Sequence, residues 1–173
     1  VKVLEESLTI SQNEKGEFIA LGLLRNETAI PLGNVHIHLM LYDENKELLE
    51  EATATSPVHY IRFGEPAPFY IETATKFEEV ASYEWHIQVE DAYFSREFRL
   101  YTYYELPFGE EMYEYTKRED SPYPYILQMG VENLSSPVND IVAIVAVVNP
   151  EGRVVHLNEV GTNEMQLISM NEV

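Results

Sequence analysis

The stretch NVHIHLMLYD, Asn34 to Asp43, alternates apolar and polar residues without a break. Val35, Ile37, Leu39 and Leu41 fall on one side, and His36, His38, Met40 and Tyr42 on the other. A strict period of two over this length is a half-buried antiparallel strand; a helix would return its apolar residues every third or fourth position. Asp43-Glu44-Asn45-Lys46 then supplies a hairpin-type turn before Glu47-Leu48-Leu49. A diverged copy of the same strand and turn recurs as DIVAIVAVVN, Asp140 to Asn149. A strand of this kind must bury one face against a second layer, so the chain is confined to layered β architectures.

The flanking sequence fits that confinement. Val1 to Ile10 has a β-like pattern, and Asn13-Glu14-Lys15-Gly16 supplies a turn. Phe18 to Leu24 reads as the next strand, closed by Arg25-Asn26-Glu27-Thr28, and Pro31, Gly33 and Asn34 mark a loop. Pro57, Gly64, Pro66 and Pro68 punctuate the following segment and leave Phe69-Tyr70-Ile71 as a short strand. Thr75 to Ser82 is expected to make a brief helical turn with Phe77 and Val80 inward. Tyr83 to Val89, with Trp85 in the core, and Phe94 to Tyr101 read as strands. Many short strands with turn signals between them argue for a β-sandwich.

The repeat extends beyond the single strand. Tyr125-Ile126-Leu127 matches Phe18-Ile19-Ala20, and Asn133 matches Asn26 at the same distance. After a one-residue deletion, Ile141, Ala143, Val145 and Val147 fall on Val35, Ile37, Leu39 and Leu41. Asn149 then falls on Asp43, Gly152 on Lys46 and Val154 on Leu48. Self-similarity of this kind predicts two copies of one module. The expected organisation is a first β-sandwich over 1–104, a linker over 105–111 and a second, shorter sandwich over 112–173, opened by a strand at Met112 to Thr116. The shorter copy lacks counterparts of the last strands of the first. Open sheet edges of that kind invite pairing with another chain. Where the first copy has His36, His38 and Met40, the second has Val142, Ile144 and Ala146, so that strand is expected to be covered on both faces by a longer parent chain, by a neighbouring subunit or by the first unit.

These pieces resemble the FxLYD domains, small immunoglobulin-like modules of bacterial and archaeal envelope and secreted proteins. The resemblance is carried by Gly22, Arg25-Asn26-Glu27-Thr28, Val35 and Leu39-Met40-Leu41-Tyr42-Asp43, followed by Gly64-Glu65-Pro66-Ala67-Pro68-Phe69. Leu39 stands where the motif has Phe, and the second copy reads Val145-Ala146-Val147-Val148-Asn149. What the resemblance implies is an all-β protein of two tandem immunoglobulin-like antiparallel β-sandwich domains, the second incomplete, with an extracellular or envelope location. The motif is made of turn and core residues and implies no catalytic group.

Composition narrows the partners. The 173 residues carry a formal charge of -19, which opposes binding to nucleic acid or an anionic membrane through repulsion from phosphates. There is no cysteine, hence no disulfide, thiolate nucleophile or cysteine-ligated metal. The longest apolar run, Ile141 to Val148, is strand-sized and far short of a bilayer span, so no transmembrane segment is expected. No leader is visible and the chain begins at Val1, which is read as a trimmed or mature fragment from which a signal or anchor has been removed.

His36 and His38 form an H-x-H pair that can place two imidazoles on one metal, with His59 and His86 as further ligands; the alternative is a pair of polar outward residues on a half-exposed strand. Acidic runs such as Glu47 to Glu51 lack the alternating Asp/Asn loop of a calcium site. No G-x-S-x-G elbow and no phosphate-cradling glycine loop is present, so enzymatic chemistry is not expected and no cofactor is assigned. Asn26-Glu27-Thr28 and Asn133-Leu134-Ser135 fit the glycosylation sequon, yet both occupy turns where Asn and a hydroxyl serve the backbone. The Tyr cluster of Tyr101, Tyr103, Tyr104, Tyr113, Tyr115, Tyr123 and Tyr125 offers flat rings with polar tips for a sugar or protein partner, unless it packs the joint between modules. The functional expectation is a non-catalytic surface module acting in protein–protein contact, assembly or spacing. Its alternative is a ligand-binding module for carbohydrate or a divalent cation, through the Tyr-rich joint or the acidic and His surface.

Overall fold

The alternating stretch is the centre of a layer, and its neighbours are best placed by naming all strands in order. The computed structural model describes residues 1–91, 114–117, 125–128 and 142–161. Its strands are β1 (Lys2–Val3), β2 (Thr9–Gln12), β3 (Glu17–Arg25), β4 (Leu32–Tyr42), β5 (Leu48–Thr55), β6 (Tyr60–Ile61), β7 (Pro66–Lys76), β8 (Ser82–Asp91), β9 (Glu114–Lys117), β10 (Tyr125–Gln128), β11 (Val142–Val148) and β12 (Val154–Gly161). Two 3₁₀ turns, Glu5–Ser7 and Phe77–Glu79, are the helical pieces among the described residues. The protein is all-β with antiparallel sheets.

In β4 the predicted alternation is realised. Val35, Ile37, Leu39 and Leu41 are wholly buried, while His36, His38, Met40 and Tyr42 are half-buried on the opposite face. Burying each such side chain stabilises the fold by about 1.5–3 kcal/mol. β4 pairs with β8 along one edge, from Leu32 opposite Asp91 to Tyr42 opposite Ser82. On its other edge it pairs with β5 and, for two residues, with β6. The facing sheet is built the same way around β3, with β7 along one edge and β1 and β2 sharing the other. Phe18, Ala20, Leu24, Phe69 and Ile71 from that sheet meet the β4 residues in one core, which makes a β-sandwich.

Several expectations are corrected. Pro31 to Asn34 is not simply a loop: β4 begins at Leu32, and Asn34, at φ 21°, sits where the register with β8 shifts between Gly33 and Val35. A bulge keeps the strand going while turning it. The short strand at Phe69 is eleven residues long. β7 tolerates Pro66 and Pro68 because it pairs only with β3 and has an open ladder on its far side. There Ser56 Oγ donates to the Pro68 carbonyl, and the Glu50 carboxylate accepts from Ala74 N, Thr75 N and Thr75 Oγ1. Side chains of β5 and of Ser56, just after it, thus close the corner between the two sheets. Val1 to Ile10 is split by the Glu5–Ser7 turn, whose Ser7 Oγ donates to the Leu4 carbonyl and accepts from Leu23 N. The turn expected after Thr75 is present at Phe77–Glu79, where Phe77 stacks on Phe18 at 5.8 Å and remains 37% exposed.

By its contacts the chain forms two compact units, one of Val1–Tyr101 with Ala143–Glu159 and another of Thr102–Val142 with Val160–Val173. Within the first, β11 and β12 form a two-stranded hairpin. Within the second, β9 and β10 pair antiparallel, Tyr125 opposite Lys117 and Leu127 opposite Tyr115. The sequence boundary at 105–111 and the strand expected at Phe94 to Tyr101 lie outside the described residues.

Candidate functional site

Two surfaces stand out from an otherwise ordinary acidic sandwich, and each is a consequence of strand parity. The first is the outer face of β5–β4–β8. Residues two apart on a strand share a face, so the ladder places Glu51, Thr53 and Thr55 of β5 beside Met40, His38 and His36 of β4. On the other side, Glu84, His86 and Gln88 of β8 lie opposite the same three residues. The two predicted histidines do share this face, but they do not turn toward one another. His36 Nδ1 lies 2.8 Å from Thr55 Oγ1, and its Nε2 lies 3.6 Å from Glu90 Oε1. His38 Nδ1 lies 3.1 Å from Thr53 Oγ1 and 3.3 Å from Glu51 Oε1. The ring that does approach His38 is His86, at 5.8 Å between centroids. His59 turns elsewhere, to Asn34 Oδ1 at 3.3 Å.

Charge on this face is tuned by these contacts. The Asn34 amide donates to Glu90 Oε2 at 2.8 Å and, with His36 as a smaller contributor, holds the Glu90 carboxyl below the usual carboxylate range. Burial, and after it the neighbouring Glu84 and Glu51 carboxylates, push the Tyr42 phenol up. Among the described residues no group of three His, Cys, Asp or Glu side chains is gathered closely enough to hold a metal ion.

The second surface is the β11–β12 hairpin. Residues Val142 to Val148 carry no charge in a chain of net charge -19. Val142 is 50% exposed, Val148 42% and Val155 47%, whereas Val154 is fully buried. Ile144 and Ala146 are half-buried. Ile144 also lines a shallow groove of about 310 Å³ with Thr55, Pro57, Tyr70, Leu157, Asn158 and Glu159. The predicted set Val142, Ile144 and Ala146 is therefore a part-covered apolar surface. Of the predicted tyrosines, Tyr103, Tyr104 and Tyr113 lie outside the described residues; Tyr115 is in β9, opposite Leu127.

The turns that hold these strands are chemically alike. In Asn13–Gly16, Asp43–Lys46 and Asn149–Gly152, the first residue donates its N–H to the carbonyl four residues on and accepts from the N–H three residues on. Its side-chain oxygen accepts from the backbone of the fifth residue, at 3.0, 2.8 and 2.8 Å. The fourth residue takes φ of 75°, 65° and 87°, which glycine adopts freely and Lys46 adopts under strain. The matching of Asp43 with Asn149 and of Lys46 with Gly152 is thus visible in backbone geometry. What sequence reading missed is the pairing of His38 with His86; the parity of Tyr83 to Val89 places His86 outward, but the register with β4 is not written in either strand.

Comparison with protein-family models, with curated proteins and with solved structures finds no match.

Proposed function

We propose that the chain is a non-catalytic β-sandwich module of a cell surface or envelope that works through protein–protein contact, with self-association as its first form. We read it as built on immunoglobulin-like repeats of the FxLYD kind, the second copy diverged and incomplete. The observation that carries this reading is the β11–β12 hairpin. A strand left in water normally carries charge or polar residues on its solvent face. Here seven residues are apolar throughout, and two of them are 42–50% exposed. The chain's net negative charge repels a second copy, so an uncharged strand is a favoured place for copies to meet. The sequence adds support by lacking the common catalytic motifs.

Light scattering over a range of concentrations tests the reading. The expected result is a dimer or higher assembly for the native chain and a monomer for Val142→Glu with Val148→Glu, both folded by circular dichroism. A native chain that stays monomeric at every concentration overturns self-association. A native assembly that survives both substitutions moves the contact to another surface.

A further inference from the structure

The outer face of β5–β4–β8 carries a second, independent site. We propose that His38 and His86 together bind one transition-metal dication of the Zn²⁺, Ni²⁺ or Cu²⁺ class, with water completing its coordination. This is the cross-strand pair; His36, on the same strand as His38, has a neighbour at each ring nitrogen and stands opposite Gln88.

A neutral imidazole has one N–H and one lone pair, and only the lone pair binds metal. Both described contacts of His38 fall on Nδ1, with Glu51 Oε1 at 3.3 Å, and a carboxylate only accepts, so the tautomer with its proton on Nδ1 suits these neighbours and leaves Nε2 without a described partner. Thr53 Oγ1, at 3.1 Å from the same nitrogen, is a second acceptor. The lone pair of His38 is then on Nε2, with the opposite nitrogen held by a carboxylate and a hydroxyl. This is the outer-shell arrangement that orients metal-ligating histidines. His36 is placed differently. Both of its nitrogens face a neighbour, Nδ1 the Thr55 hydroxyl at 2.8 Å and Nε2 the Glu90 carboxylate at 3.6 Å, so neither is as open as His38 Nε2.

His86 supplies the second nitrogen. It stands directly opposite His38 in the β4–β8 ladder, where facing Cβ atoms are about 4.5–5.5 Å apart. The rings are 5.8 Å apart and tilted by 51°, and His86 is exposed, with no hydrogen-bond partner among the described residues. A rotation about its side-chain torsions brings its lone pair to an ion already on His38 Nε2, about 2 Å from each nitrogen. No third protein ligand is gathered among the described residues, so the site is open and water-completed. Two imidazole nitrogens select borderline transition metals over Mg²⁺ and Ca²⁺, which require oxygen cages. The surrounding Glu51, Glu84 and Glu90 add attraction for any cation, which makes the choice of metal the informative control.

Isothermal titration of the tag-free protein with NiCl₂ and with MgCl₂ decides the matter. The expected result is saturable binding of one Ni²⁺ per chain, weakened at least about tenfold by His38→Ala, by His86→Ala and by His86→Gln, and changed less than about twofold by His36→Ala. The paired His86 substitutions separate loss of a ligand from loss of a polar surface residue. The proposal is overturned by absence of Ni²⁺ binding up to about 1 mM, by binding that survives loss of His38 or His86, by an equal loss in His36→Ala, or by Mg²⁺ binding of equal strength. Self-association of the chain has no bearing on any of these outcomes.

Discussion

Asn26 is fully buried and uses every hydrogen-bonding position of its side chain. Its amide donates to the Ile30 and Ile61 carbonyls at 2.8 and 3.0 Å, and its Oδ1 accepts from Thr28 N and Thr28 Oγ1. A sequon match at this position is therefore a turn lock, with no amide left to carry a sugar. Gly22 is constrained by space. A Cβ on it would lie 2.7 Å from Leu8 Cδ2 and 2.9 Å from Phe69 Cε1, closer than side chains approach. Phe69 is wholly buried and packs edge-on against Trp85 at 5.6 Å, so the ring cannot swing away without disturbing a second aromatic. Gly22→Ala is expected to destabilise the protein by about 1–3 kcal/mol through overpacking, measured as a lower midpoint in urea with an unchanged slope. An unchanged midpoint would show that the Leu8 and Phe69 side chains both give way without cost.

At the scale of elements, three turns of one design set the hairpins, and they differ in charge. Asn13 and Asn149 accept the backbone N–H bonds through neutral amides, whereas Asp43 accepts those of Asn45 and Glu47 through a carboxylate. The N–H of Glu47, and after it Asn45, hold the Asp43 carboxyl below its ordinary value of 3.8. A folded-state value below the unfolded one means that this stabilisation is complete above pH 3.8 and is lost as the pH falls through the folded value. Asp43→Asn keeps the bonds and removes the titration. The variant is expected to lose less thermal stability than the native chain as the pH is lowered from about 5 to about 2.5, with the two converging in slope above that window. Parallel melting curves throughout would refute a role for the Asp43 carboxylate. The same reasoning shows why β7 was read too short from its prolines: an edge strand needs donors on one side only, and the Glu50 carboxylate serves the two free N–H groups at its far end.

For the whole molecule, 30 acidic residues face 11 basic ones. The described Lys–Glu pairs are few and their lysines are exposed, with a half-buried Glu17 drawing on both Lys15 and Lys76, and Glu27 on Lys2. Such pairs contribute little, and the remaining negative charge repels itself. Raising NaCl from about 10 mM to about 300 mM shortens the Debye length from about 30 to below 10 Å, and the melting temperature is expected to rise by several degrees. A falling melting temperature would place the exposed ion pairs above the repulsion. The sequence by itself determined the parity of β4 and β11, the turns at Asn13, Asp43 and Asn149, and the all-β layering, because each depends on residues within a few positions of one another. Only the tertiary structure decided that Asn26 is buried, that β7 runs on through its prolines, and that His38 faces His86 while His36 turns to Glu90 and Thr55. Period-two alternation fixes which face a side chain takes, but which strand lies beside it and in what register is set by burying the shared core, through contacts between residues dozens of positions apart.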